Sequence, residues 1–181
     1  VGTPSTSDPQ GPDAYGYYCY DDTDTGYSEA PTYSWLEIDP SYGGSGTDTG
    51  LGFEDVLDMA LPFTFRYYGE EFDTIAVCGN GNVGLGGAPY WEHQPRNARI
   101  PCPIGPDAMI APFWDSLFPS DPDTAGGTGK VLTRDMGDGR FVVQWSRVGT
   151  GYDNGGNTQT LELVLYDQDV YPTTTGDGEI L

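Results

Sequence analysis

The sequence predicts an all-β protein, an antiparallel β-sandwich of the two-sheet jelly-roll or immunoglobulin-like kind with long loops. Short apolar runs alternate with polar residues, which is the pattern of half-buried strands. The 181 residues include 27 glycines and 15 prolines, which disfavour helices. Aspartates outnumber glutamates by 20 to 8, and aspartate favours turns because its side chain bonds to nearby backbone. Roughly nine short strands separated by turn residues are expected.

The chain is strongly acidic. It has 28 acidic against 7 basic side chains, which gives a formal net charge of −21. A surface of this sign repels the phosphates of nucleic acids and anionic lipid headgroups. No apolar run approaches the ~20 residues that span a bilayer. We therefore expect neither nucleic-acid binding nor membrane insertion.

Two segments are expected along the chain. Residues 1–13 form an N-terminal arm or linker, since residues 1–12 hold almost only Pro, Gly, Ser, Thr and other polar side chains. Residues 14–181 form a single β-sandwich domain. The sequence begins without an initiator methionine or a secretion signal, which is typical of a processed or excised segment.

The first half of the chain carries strand signals at residues 33–38, 61–67, 72–78 and 83–85. In residues 61–67 every second side chain is apolar, so one face of this strand is expected to be buried. Asn80-Gly81-Asn82 predicts a hairpin turn before the fourth strand. Only residues 54–60 have weak helical character.

The second half carries strand signals at residues 108–113, 129–134, 140–148 and 158–166. Asp138-Gly139 is a strong hairpin signal between the second and third of these runs. Residues 86–106 show no period and predict a long surface loop. The alternating runs together favour an antiparallel sandwich.

The last residues, Glu179, Ile180 and Leu181, begin a new strand at the point where the sequence ends. A three-residue strand leaves most backbone groups of its neighbour without partners, and such groups cost ~1–3 kcal/mol each when buried. Either the natural chain continues, or another molecule supplies the missing strand.

The preferred candidate for an inserted strand is a tyrosine-rich segment near the N-terminus, made of Ala14, Tyr15, Tyr17, Tyr18 and Tyr20. These tyrosines are interpreted as an edge strand or an interface. The alternative interpretation is an aromatic platform that stacks on sugars.

Four runs occur in the order expected of a known module: WLEI at 35–38, LPFTFRYYG at 61–69, VCGNG at 77–81 and MIAPFWD at 109–115. They resemble segments of a nidogen-like β-sandwich module that recurs in secreted and surface-anchored bacterial proteins. RFVVQW at 140–145 and GEIL at 178–181 resemble its closing strands. Cys78-Gly79 stands where the module has two serines, and Ser116 where it has a second aspartate. The resemblance implies a non-catalytic adhesive or structural role outside the cell.

The chain has three cysteines. Cys78 and Cys102 lie in similar Gly/Pro-rich surroundings, and we predict that they form a disulfide. The ~24-residue loop that this bond closes would contribute about 3 kcal/mol in the chain-entropy model. The alternative is a pair of buried thiols. For Cys19 the sequence leaves burial, reactivity and pairing with another chain open.

Calcium is the cofactor that the sequence suggests. Ca²⁺ takes 6–8 oxygen ligands and tolerates irregular geometry, which suits carboxylates on turns. The candidate ligands are Asp21, Asp22, Asp24, Asp115, Asp121 and Asp123. The alternative is that these carboxylates are solvated and cap turns. The cysteine and histidine spacings match no zinc site.

The sequence contains no recognisable catalytic motif. His93 is the single histidine, and we interpret it as an exposed loop residue. No Gly-x-Ser-x-Gly elbow accompanies it. Paired carboxylates are plentiful, but none lies in an apolar run that would raise the pKa of an acid. We therefore expect a protein that is not an enzyme.

These observations lead to one main hypothesis and two alternatives. The main hypothesis is a structural subunit of an extracellular or cell-surface bacterial filament, in which copies of the chain join by strand complementation. The first alternative is a carbohydrate- or surface-binding adhesive module of a larger secreted protein. The second is a hydrolase, which would need two carboxylates in an apolar cleft.

Overall fold

We analysed a computed structural model that describes residues 8–87, 98–101, 103–119, 129–150 and 157–181. The chain separates into two compact units, Val1–Leu36 and Glu37–Leu181. The expected division between an arm of residues 1–13 and a domain of residues 14–181 stays a prediction.

The described part of the first unit is built from turns. One isolated antiparallel bridge joins Gln10 and Cys19. Between them, Oδ1 of Asp13 accepts hydrogen bonds from the backbone N–H groups of Tyr15, Gly16 and Tyr17 at 3.0, 2.8 and 3.0 Å. One carboxylate oxygen therefore holds this turn closed, as aspartate side chains commonly do.

The second unit contains two antiparallel sheets. The larger sheet has the order β1-β7-β8-β9-β10, with β6 paired to β8, and the smaller has the order β2-β3-β4-β5. In chain order the strands are β1 (Thr47–Asp48), β2 (Val56–Tyr67), β3 (Glu70–Cys78), β4 (Asn82–Leu85), β5 (Met109–Ile110), β6 (Leu117–Phe118), β7 (Lys130–Asp135), β8 (Arg140–Thr150), β9 (Thr158–Tyr166) and β10 (Glu179–Ile180). A single turn of 3-10 helix spans Pro40–Tyr42. The predicted all-β sandwich is confirmed.

The core lies between the two sheets. Both sheets contribute large side chains that are buried completely or almost so, among them Phe65, Ile75, Leu117, Trp145 and Leu163. The indole Nε1–H of Trp145 on β8 donates to the carbonyl oxygen of Cys78 on β3 at 2.9 Å. This bond satisfies the polar group of a buried tryptophan and ties one sheet to the other.

Several sequence predictions agree with the structure. The strand predicted at residues 158–166 has the observed bounds of β9, and those predicted at 72–78, 129–134 and 140–148 form most of β3, β7 and β8. Both predicted hairpins are present. Their glycines have positive φ, with values of 76° at Gly81, 73° at Gly137 and 87° at Gly139. Glycine adopts this conformation without the strain that a side chain would add.

Two local predictions are wrong. Residues 33–38 form no strand, and the N–H of the buried Ile38 donates to the side-chain oxygen of Gln144 at 2.8 Å, where a ladder would have used a backbone carbonyl. Residues 54–60 form no helical turn either. Val56 to Ala60 belong to β2 and pair with β3, so the tertiary partner overrides a weak local preference.

Gly178, just before β10, lies against the core. A Cβ added there would overlap the ring of the fully buried Phe65. The backbone must approach the ring this closely because the Gly178 N–H donates to the carbonyl oxygen of Arg66 at 2.7 Å. Glycine is therefore required by space at this position.

We predict that Gly178→Ala lowers the free energy of unfolding by about 1–3 kcal/mol, because the new methyl group must displace the Phe65 ring or the backbone. Urea unfolding followed by tryptophan fluorescence measures the change. Gly26→Ala is the control, since nothing lies within 4 Å of the added Cβ. Equal stability of the Gly178→Ala variant and the wild-type protein would contradict the assignment.

Candidate functional site

The candidate site is the edge of the larger sheet at β9 and β10. Glu179 and Ile180 pair with Tyr166 and Leu165 of β9. Leu181 continues the pairing: its N–H donates to the Val164 carbonyl at 2.9 Å, and its carbonyl accepts from the Val164 N–H at 2.7 Å. The three residues predicted to begin a strand thus lie on the edge of β9.

β9 extends well past the last residue of β10. It continues from Leu163 back to Thr158, and among the described residues no strand other than β8 and β10 pairs with it. Val164 directs its backbone groups towards β10, and alternate residues of a strand share an edge. The backbone groups of Thr160 therefore lie on the same edge, beyond Leu181.

The core-facing leucines of β9 are more deeply buried near the residues that pair with β10 than farther along the strand. Leu165 and Leu163 are 0% and 1% exposed, and both lie in the stretch that β10 flanks or adjoins. Leu161 is only partly buried, although it packs against the same core. Among the described residues, β9 thus has less strand pairing and a less buried core-facing side chain at Leu161 than at Leu165.

The connection between β9 and β10 is fixed to the edge of the other sheet. The Gln168 side chain accepts from the Arg66 N–H at 3.1 Å and donates to the Thr64 carbonyl at 2.8 Å, as a strand would. The buried carboxylate of Asp177 accepts from the Gly69 N–H at 2.8 Å. These bonds supply partners for the exposed end of β2 and place β10 beside β9.

A bulge in β8 faces the uncovered part of β9. The register shifts between Trp145 and Val148, and Arg147 has a φ of 51°, a conformation unusual for a residue with a side chain. The Arg147 N–H donates to Oγ1 of Thr160 at 3.1 Å instead of to a strand carbonyl. The guanidinium group lies 3.1 Å from the centre of the Tyr42 ring.

The bulge directs Arg147 into a network of carboxylates. Its guanidinium group contacts Glu37 at 3.2 Å and donates to the Ser146 hydroxyl at 2.6 Å. The Asp39 carboxylate accepts from the Ser146 hydroxyl at 2.6 Å and from the Ser41 N–H at 2.8 Å, and it is 2% exposed. This network fastens residues 37–41 to the outer face of β8.

The hydrogen bonds in this network lower the pKa values of Asp39 and Glu37. Burial by itself raises the pKa of Asp39, but the bonds from Ser146 and Ser41 outweigh it and hold that pKa below its ordinary value. Burial also raises the pKa of Glu37, and the bonds from Gln144, Asp39 and Arg147 lower it further than burial raises it. Both carboxylates are thus stabilised in their charged form.

The tyrosine-rich segment that was predicted to be an inserted strand begins with a turn in this chain. Ala14, Tyr15 and Tyr17 lie in the turn that Asp13 closes, and the rings of Tyr18 and Tyr20 contact each other with centres 6.1 Å apart. Tyr15 and Tyr18 remain 45% and 50% exposed. Insertion of this segment into a partner's sheet would require the turn to open. Such insertion stays a prediction.

The predicted calcium ligands do not converge in the described part of the chain. No group of three or more His, Cys, Asp or Glu side chains among those residues could hold a metal ion. Asp21 accepts from the N–H and hydroxyl of Thr23, Asp24 accepts from the Asp21 N–H, and Asp115 accepts from the Ser116 N–H. Asp22 is exposed, and Asp121 and Asp123 lie outside the described residues. Calcium binding stays a prediction.

The predicted disulfide has no support from the structure. Cys78 is a buried thiol whose sulfur accepts from the Asn80 N–H at 3.4 Å, and Cys102 lies outside the described residues. Burial raises the pKa of the Cys78 thiol to about 12. Cys19 is an exposed thiol. His93 also lies outside the described residues, so its predicted exposure stays untested.

Sequence patterns did not indicate the residues that position the site. Gln168 bonds to a strand more than a hundred positions earlier, and Arg147 acts through a bulge that only the strand register shows. Asp177 could have been suspected, because Gly176-Asp177-Gly178 is a turn motif directly before the last strand. A solitary glutamine on a loop gives no comparable signal.

The two antiparallel sheets make the second unit a β-sandwich module. A family model described as NIDO related matches residues 29–172, which is most of the chain. The chain belongs to this family, as its resemblance to a nidogen-like module predicted. No curated protein and no solved structure matched the chain.

Membership of this family indicates an extracellular kind of protein. In the described part of the chain, no helix has the length and apolar character needed to cross a membrane.

We predict that Gln168→Met releases β10 from β9, because the change removes both hydrogen bonds to β2. Hydrogen exchange of the Val164 and Leu181 amides should become about tenfold faster, equivalent to ~1.4 kcal/mol of local stability. Gln159→Met is the matched control on β9 and should leave both amides unchanged. Unaltered exchange in the Gln168→Met variant would show that the glutamine does not hold the edge.

Asp39 should make stability depend on pH. Its pKa is lowered in the folded state, so its contribution is present above the unfolded pKa of about 3.9 and is lost as the pH falls through the folded pKa. We predict that Asp39→Asn lowers the free energy of unfolding at pH 7 by ~1–3 kcal/mol and flattens its decline between about pH 5 and pH 2. Denaturant unfolding at several pH values tests this, with exposed Asp107→Asn as the control. Parallel pH profiles for wild type and Asp39→Asn would refute it.

Proposed function

We propose that this chain is a non-catalytic structural subunit of an extracellular bacterial filament or surface assembly. Copies of the chain join when an extended segment of one adds to the edge of β9 in the next. The observation that carries the proposal is that, among the described residues, strand pairing along this edge of β9 runs from Tyr166 to Val164, while β9 itself continues to Thr158. Strand addition of this kind takes its strength from backbone hydrogen bonds.

The partly buried Leu161 supports the same proposal. A segment added along the line of β10 would lie beside Leu161 and exclude water from it, and buried apolar area stabilises at roughly 25 cal/mol per Å². A contact between one subunit's edge and another subunit's segment is head-to-tail. Repeated, such a contact produces a filament unless it closes into a ring.

Charge opposes this association. Every copy has a formal net charge of −21, so copies of the chain repel one another. Added salt screens this repulsion and should favour association. A calcium ion bound at Asp24 is part of the proposal, although Asp21, Asp22 and Asp24 do not converge on one point in the structure. Oδ1 of Asp24 is buried and has no hydrogen-bond partner, and a cation would supply one. Calcium should then promote assembly more than an equal ionic strength of sodium.

An adhesive module that binds carbohydrates or surfaces is the second candidate. The observation that favours it is the exposure of the tyrosine rings in the first unit, among them Tyr15 and Tyr18. It requires no contact between copies of the chain. A protein that stays monomeric under all assembly conditions and binds glycans would fit this alternative and not the filament.

We predict that Thr160→Pro abolishes assembly, because proline removes an N–H group that faces the open edge of β9. Light scattering and electron microscopy of concentrated protein, with salt, calcium or a chelator, measure assembly. Thr160→Ala is the matched control: it loses the side-chain bond from the Arg147 N–H but keeps the backbone N–H. It should assemble like the wild-type protein.

Circular dichroism and the unfolding midpoint show whether each variant is folded. A folded Thr160→Pro variant that assembles as readily as Thr160→Ala would rule out the β9 edge as the point of contact. A wild-type protein that remains monodisperse in every condition would rule out the filament itself.

A further inference from the structure

The first unit contains a second feature, a shallow cavity of about 400 Å³ that is open to solvent. Its lining includes Asp22, Thr25, Tyr27, Thr32 and Tyr33, all of which belong to Val1–Leu36. The lining combines two phenol rings, two threonine hydroxyl groups and one carboxylate.

The aromatic side chains of the cavity are exposed to solvent. Tyr33 is 83% exposed and Tyr27 is 43% exposed. The Tyr27 ring contacts the Tyr20 ring, with centres 6.0 Å apart, and Tyr20 in turn contacts Tyr18. The faces of aromatic rings carry negative electrostatic potential and attract cations.

The charge of the surrounding unit has one sign. Residues 1–36 contain six acidic side chains and no lysine or arginine. The effect is visible at Tyr20, where burial and the nearby carboxylates of Glu29 and Asp24 raise the pKa of the phenol. Asp22 lines the cavity and, among the described residues, pairs with no basic side chain. A negative field of this kind disfavours anions and favours cations.

We propose that this cavity binds a small organic cation of the quaternary ammonium class. The tyrosine faces contact the methyl groups and the cationic centre, and Asp22 supplies the opposite charge at the rim. A strongly hydrated metal ion would gain little from the rings, whereas a methylated ammonium group is weakly hydrated and matches them. This inference is independent of the β9 edge, which lies in the other unit.

Choline is the test ligand, and 3,3-dimethylbutan-1-ol is its neutral counterpart of the same shape. Both give one sharp methyl resonance, so NMR titration of the full chain follows both in the same way. We expect choline to bind with a dissociation constant in the millimolar range and the neutral alcohol at least about tenfold more weakly. Added salt should weaken choline binding.

Phosphocholine distinguishes a free quaternary amine from a lipid headgroup. Its phosphate carries negative charge, and the acidic unit should repel it, so phosphocholine should bind more weakly than choline. Tighter binding of phosphocholine would contradict the proposed selection by charge. Equal binding of choline and the neutral alcohol would contradict the role of the cation.

Three variants locate the site. Tyr33→Leu and Asp22→Asn should each weaken choline binding, the first by about tenfold. Tyr15→Leu is the control, because Tyr15 is an exposed tyrosine of the same unit that does not line the cavity. Equal weakening by Tyr15→Leu, or no binding of choline to the wild-type protein at 100-fold excess over the protein, would overturn the proposal.

Discussion

The backbone groups at the edges of a sheet need hydrogen-bond partners, and this need organises the second unit. At β2 the partners come from a loop: the side-chain amide of Gln168 takes the place of a neighbouring strand, and the Gly178 N–H and Asp177 carboxylate continue the pattern. The same loop leads directly into β10. The hydrogen bonds that it makes to the edge of the smaller sheet therefore also fix the position of β10 in the larger sheet. The position of β10 beside Tyr166 and Leu165 of β9 follows from that geometry.

Three of the seven basic residues are paired with carboxylates of the same chain. Arg66, Arg140 and Arg147 each contact a carboxylate at 2.6–3.2 Å, on Glu71, Asp138 and Glu37. These cations are therefore committed within one copy of the chain and contribute little to attraction between copies. Association in the proposed assembly would depend on backbone hydrogen bonds and apolar contact, with electrostatic repulsion as the opposing term.

The sequence predicted the fold wherever a strand was long enough to show its period. β9 has the predicted bounds, and residues 61–67 are the alternating half of a longer strand. The two-residue strands β1 and β6 have no period to detect. Residues 33–38 alternate, yet they pair with no strand among the described residues, and Ile38 bonds to the side chain of Gln144, more than a hundred positions away. The predicted last strand lies at the candidate site, but the residues that hold it there act through contacts distant in sequence.

The reactivity of the Cys78 thiol can report whether the second unit is folded. Its sulfur is buried against Asn80, and burial raises its pKa to about 12, so almost no thiolate exists at neutral pH. Thiolate is the form that reacts with alkylating reagents. Cys19, by contrast, is exposed in the first unit. Peptide-resolved labelling at these two positions would thus record a reagent's access to the surface at one cysteine and the opening of the sandwich at the other.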